Sequence, residues 1–154
     1  MVKNHLIVKR ALKQAAIEVL EARIKSATDA MIAAQLSANE EGKSSAGDKY
    51  ETSRAMAQIE RDIHAKQSES AKRELNILQK IEVEVKHDII TAGALVETEK
   101  HKYFFLSGLG AINYKNEQII FLSMNSPLAK IMSGKKESEI VSFNGENISV
   151  LKIY

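Results

Sequence analysis

Four carboxylates flank one short polar stretch of the chain. Glu40 and Glu41 stand just before Gly42, and Asp48 and Glu51 follow Gly47. Carboxylate oxygens are the donors that hard divalent cations such as magnesium take, and a cation so held can activate a bound water. A turn that presents Glu41 and Asp48 together would offer two such donors. A plainer reading also accounts for all four and is the preferred one. Glu40 and Glu41 are solvated at a helix end, Asp48 caps the next helix, and Glu51 is its capping-box partner.

Two further groups have chemistry to offer. Arg54 and Arg61, with Lys66, Lys72 and Arg73, can line one side of a helix and meet RNA phosphates. They are interleaved with Asp62, Glu69 and Glu74, as on an ordinary solvated face. Asn125, Ser126 and Pro127 form a loop in which Ser126 can cap a helix that Pro127 opens. The histidines His5, His64, His87 and His101 show no metal-ligand spacing and read as surface residues, so no intrinsic metal is expected. Gly108-Leu109-Gly110 lacks the third glycine of a dinucleotide fingerprint. The absence of cysteine rules out disulfides, thiolate metal sites and thiol nucleophiles.

These residues sit on two kinds of element. Residues 3–41 contain neither proline nor glycine, and Ile17, Leu20, Ile24, Ala27, Met31 and Ala34 recur at spacings of three and four, the seam of a coiled coil. Gly42 and Gly47 bracket a chain reversal. A second helix is predicted over residues 49–79, its seam opening with Met56, Ile59 and Ile63. A turn centred near Ser45 pairs Met31 with Ile59, Ala27 with Ile63 and Ala34 with Met56. Each helix would be roughly 50–60 Å long at about 1.5 Å per residue.

From residue 93 the pattern changes to short strands. Aromatic residues mark the change: Tyr50 stands alone before it, whereas Tyr103, Phe104, Phe105, Tyr114, Phe121, Phe143 and Tyr154 come after. Strands are predicted at 95–98, 103–106, 119–123, 139–143 and 148–153, with a short helix at 128–133 ended by Gly134. Asn144-Gly145 is a strong type I′ hairpin signal. Leu128, Ile131 and Met132 are expected to pack on the sheet. The fold class is α+β: an N-terminal antiparallel two-helix coiled-coil hairpin (1–80), a connector (81–92) and a small antiparallel β domain with one short helix (93–154).

The chain has 154 residues, 44% apolar and 27% charged, with a net charge of +2. That charge is too small to argue for a nucleic-acid or membrane partner by itself. Leu6-Ile7-Val8 is too short for a signal-peptide core, and no apolar run reaches membrane-spanning length, so a cytoplasmic protein without membrane attachment is expected.

The segment Asn125-Ser126-Pro127-Leu128-Ala129-Lys130-Ile131-Met132-Ser133-Gly134-Lys135-Lys136, the hairpin after it and the terminal Ile153-Tyr154 resemble the C-terminal domain of the bacterial Gre transcript-cleavage factors. Ile119-Ile120-Phe121-Leu122-Ser123 resembles the strand before it in that family, and the order of hairpin then β domain also fits. The resemblance implies an FKBP-like C-terminal domain that docks on RNA polymerase, with Asn125, Ser126 and Pro127 as contacts. It implies a hairpin in the polymerase secondary channel, near the RNA 3′ end. There tip carboxylates share magnesium with the polymerase, which cleaves backtracked RNA; the factor itself is not an enzyme. The family tip reads G-D-x-x-E-N-x-E-Y. Anchored on Gly42 and Tyr50, this chain has Lys43, Ala46, Gly47 and Lys49 at the Asp, first Glu, Asn and second Glu positions. The alternatives are a polymerase modulator or inhibitor that does not cleave, an FKBP-like prolyl isomerase or chaperone, and a structural coiled-coil dimer. A monomer or weak dimer is expected.

Overall fold

The computed structural model describes the backbone of residues 2–41 and 47–154 and the side chains of residues 4–40 and 51–154. Among the described residues the order is α1 (Val2–Glu41), α2 (Gly47–Gln79), β1 (Leu95–Thr98), β2 (Lys102–Phe105), β3 (Gly110–Tyr114), β4 (Glu117–Leu122), α3 (Pro127–Met132), β5 (Ile140–Phe143) and β6 (Glu146–Ile153). The fold is α+β: a long N-terminal helical hairpin, then a six-stranded, mostly antiparallel sheet with a short helix. No helix among the described residues is long and apolar enough to cross a membrane.

The chain forms two compact units, residues 18–76 and residues 1–17 with 77–154. The sequence reading ended the hairpin at residue 80 and gave it all of α1. In the structure the first turns of α1 belong with the β-rich part. The reason is their chemistry: Lys9, Arg10 and Lys13 bond the connector that follows α2.

In the 18–76 unit the helices meet on small side chains. Ala27, Ala34 and Ala38 of α1 and Ala57 and Ala71 of α2 are buried, and Thr28 Oγ1 lies 3.3 Å from Ser68 Oγ. The expected α1 seam faces inward, with Leu20, Ala27 and Ala34 buried, but the α2 half of the expected seam is corrected. Met56, Ile59 and Ile63 are 65%, 59% and 51% exposed, so none is the seam partner of Ala34, Met31 or Ala27. Thr28 opposite Ser68 displaces the register from the expected pairing by between one and two helical turns. Alanine on both helices permits close approach of the axes along most of the seam, and Leu20 of α1 is the large side chain buried in this unit among the described residues.

In the other unit the strand order is β3-β4-β2-β1-β6-β5. All neighbours are antiparallel except β2 and β4, which run parallel with Phe104 opposite Phe121. Alternation along the strands sends Val96, Tyr103, Phe105, Val141 and Val150 to one face, where Ala129 and Met132 of α3 complete the core. Leu95, Phe104 and Phe121 are buried on the other face, and the two phenyl rings meet edge to face at 5.4 Å. Of the residues expected to hold α3 down, Met132 is fully buried and Leu128 packs at the core edge. Ile131 does not: it is 40% exposed, and Ala129 takes the inward position. With Ala129 and Met132 facing inward, Ile131 falls on the outer side of so short a helix.

Strand β3 was not expected from the sequence. Its turn into β4 uses Lys115 and Asn116, at φ 47° and 66°, a left-handed pair built without glycine. The Asn144-Gly145 hairpin has the predicted geometry, at φ 51° and 78°. Gly93 answers to a different constraint. At φ +91° it also lies so close to the connector that an added Cβ would stand 2.4 Å from the Glu82 carbonyl oxygen. A Cβ on Gly134, at φ +79°, would meet open space. Gly134→Ala is therefore expected to cost about 1–2 kcal/mol, the penalty of the left-handed backbone alone. Gly93→Ala should cost at least twice as much. Urea denaturation of the two variants checks the ratio, and equal losses would show that the approach to Glu82 relaxes freely.

Candidate functional site

The tip carboxylates come first. Glu40 is exposed at the end of α1, and Glu51 is exposed in the first turns of α2. The side chains of Glu41 and Asp48, with those of Lys43, Ala46 and Lys49, lie outside the described residues. Arg54 and Arg61 are seven residues apart on α2 and so share a face. Both are exposed, and Arg61 contacts Asp62 at 3.3 Å.

The loop before α3 is built as the sequence predicts. Ser126 is the N-cap in extended conformation, and its Oγ accepts from the Ala129 amide at 3.2 Å. Pro127 occupies the first turn, where a missing N–H costs nothing. The Asn125 amide donates to Ser123 Oγ at 3.2 Å, which leaves the exposed Asn125 side chain pointing from a fixed backbone. The left-handed Gly134 ends the helix, and its amide donates to the Ile90 carbonyl at 2.8 Å. Asn125 and Pro127 are thus presented to solvent beside a half-buried Ser126.

Sequence reasoning missed a polar cluster and a groove. Lys9 is fully buried, and its ammonium donates to the Val85 carbonyl at 2.8 Å and to His87 Nδ1 at 3.0 Å. Burial lowers the Lys9 pKa to about 8, against the pull of the Glu82 carboxylate. His87 is lowered as well, by burial first and then by the Lys9 charge. Hydrogen bonds with the backbone at Tyr154 and Val85, and the Asp88 charge, oppose that shift. The reading of the histidines as surface residues is therefore corrected for His87 and His5, while the His64 contact is an exposed one. His87 is engaged with Lys9, His5 stacks on Tyr154 at 3.6 Å, and His64 Nδ1 lies 2.9 Å from Gln67 Oε1. His101 is exposed and meets the Tyr103 ring edge-on at 5.9 Å. A lysine in a helical stretch carries no sequence signal of burial, because its partners are seventy-six and more residues away.

The groove lies beside α3. Tyr103, Phe143, Leu128 and Ile148 line part of a depression of about 360 Å³, and Thr98, Glu99, Lys100, His101, Asn144 and Glu146 line the rest. The sequence reading assigned the strand aromatics to core packing. Tyr103 does belong to the core, yet it also forms part of this groove wall.

No protein-family model matches the chain, and none of the curated proteins is detectably similar to it.

The Lys9 cluster makes a signed prediction. Below about pH 8 folded and unfolded chains both carry the Lys9 proton. Between about 8 and the ordinary lysine value of 10.5 only the unfolded chain holds it, so stability should rise with pH across that window. On the acid side the unfolded chain takes up the His87 proton below 6.5 before the folded chain does, so stability should fall as the pH drops from there. Thermal melts of the wild type and Lys9→Met, taken across both windows, test this. The variant should lose the alkaline rise, and an identical pH profile would refute the buried-ammonium account.

Proposed function

We propose that the chain is a Gre-like transcription factor that binds RNA polymerase. The β-rich unit docks through Asn125, Ser126 and Pro127, and the helical hairpin enters the secondary channel. One observation carries this reading. The Ser126-capped helix, the left-handed Gly134 stop and the Asn144-Gly145 hairpin fall in the order the resemblance requires, after a long helical hairpin. The protein would not be an enzyme; any catalysis would belong to the polymerase and its magnesium. Arg54 and Arg61 would face RNA, and the cell compartment would be the cytoplasm.

At the tip, Lys43 and Lys49 replace carboxylates that would complete a metal's oxygen shell. A protonated lysine repels a divalent cation, so modulation or inhibition without cleavage is the version this sequence favours. If cleavage occurs, Glu41 and Asp48 are the residues to carry it, with Glu40 and Glu51 behind them.

A second reading has its own observation. The groove lined in part by Tyr103, Phe143, Leu128 and Ile148 is of a kind that receives an apolar peptide side chain, as an FKBP-like isomerase or chaperone would.

Co-migration of the purified protein with core RNA polymerase is the expected result. Asn125→Ala should weaken it several-fold without loss of stability. Ser126→Ala should also weaken it, at a cost of about 1 kcal/mol from the lost cap. Backtracked complexes should show altered elongation with no shortening of RNA. The combined Lys43→Asp, Ala46→Glu and Lys49→Glu variant should gain shortening. Failure to bind polymerase, with turnover of a proline peptide instead, would transfer the assignment to the second reading.

A further inference from the structure

The 18–76 unit carries a contact surface that the functional reading does not use. Met56, Ile59 and Ile63 are all more than half exposed, and their spacing of three and four places them on one stripe of α2. The same stripe continues through Gln67, Ser70 and Glu74, again at spacings of four and three. From Gln67 onward these residues wall a groove of about 420 Å³. Leu20, Ala27 and Ala71 floor it, and Arg23, Ser26 and Ala30 of α1 close the other side. One ridge of α2 is therefore large and apolar in its first half and borders a hollow in its second half.

We propose that this face binds a second copy of the chain in an antiparallel, two-fold symmetric dimer. A two-fold axis between Ile63 and Gln67 turns one hairpin end for end. The apolar stripe of each copy then falls on the groove of the other. Each contact is made twice, as an isologous interface requires. Charge supports the same pairing. Glu60 borders the stripe and Arg23 walls the groove, and neither has an ion-pair partner among the described residues. The two-fold operation brings Glu60 of each copy toward Arg23 of the other. Ile32 and Leu36, also exposed, lie off the α1 ridge of Arg23, Ser26 and Ala30 that walls the groove, and serve as a control face. The inference stands whether or not the chain binds polymerase.

Light scattering on the full chain, from low micromolar to near-millimolar concentration, tests it. The wild-type mass should climb from 17.1 kDa toward twice that value. Ile59→Lys and Ile63→Lys should hold the mass at the monomer value with helical circular dichroism unchanged, whereas Ile32→Lys should dimerise like the wild type. Glu60→Arg alone should weaken association at least tenfold, and pairing it with Arg23→Glu should restore it. A wild-type chain monomeric throughout would overturn the proposal. So would equal losses from Ile32→Lys and Ile59→Lys, or charge reversal without rescue.

Discussion

An irregular connector between α2 and β1 must have its backbone polar groups satisfied without a ladder of its own. The first turns of α1 meet this requirement with a row of cations. Lys9 donates to the Val85 carbonyl, and Lys13 donates to the carbonyls of Gln79 and Ile81 at 3.1 and 2.8 Å. Arg10 pairs in fork fashion with the Glu84 carboxylate. Val83 and Ile90 bury beneath the same segment. Burying an ammonium is costly, and Lys9 offsets part of that cost by giving two of its three donors to a carbonyl and an imidazole nitrogen. The connector thus has a defined path although it contains neither helix nor strand. Gly93 at its end is constrained by the same path, because the Glu82 carbonyl occupies the space of a side chain.

The hairpin shows a second constraint, one of size. Its buried seam is mostly alanine on both helices, with Leu20 as its large member and the Thr28–Ser68 pair as its polar one. Close helix approach gains contacts along the backbone and leaves little room for bulky residues. Met56, Ile59 and Ile63 of α2 lie instead on an exposed flank.

The α3 region is shaped by local choices. Ser126 satisfies a helix-end amide, Pro127 presets the first turn, and Gly134 stops the helix. Because these choices are local, the loop that carries Asn125 is held by its own backbone rather than by distant contacts. They were also the features most legible in the sequence, together with the two long helices and the Asn144-Gly145 turn. Strand β3 was not legible, since its turn at Lys115-Asn116 lacks glycine and its residues are mostly exposed at the sheet edge. The groove beside α3 was hidden for a different reason: Tyr103 reads as a core aromatic, and only the approach of Leu128, Phe143 and Ile148 makes it a wall. The tip carboxylates Glu41 and Asp48 remain a matter of sequence, since their side chains lie outside the described residues.

By itself the sequence determined what is set by neighbours in the chain: helix length, caps, stops and the tight hairpin, all governed by backbone geometry within a few residues. Only the tertiary structure decided the helix register, the parallel pairing of β2 with β4, the partnership of Lys9 with His87, and which apolar residues remain exposed. These depend on side-chain volume and charge meeting across tens of residues. Periodicity shows that an apolar stripe exists, but it carries no record of the surface, if any, that covers it.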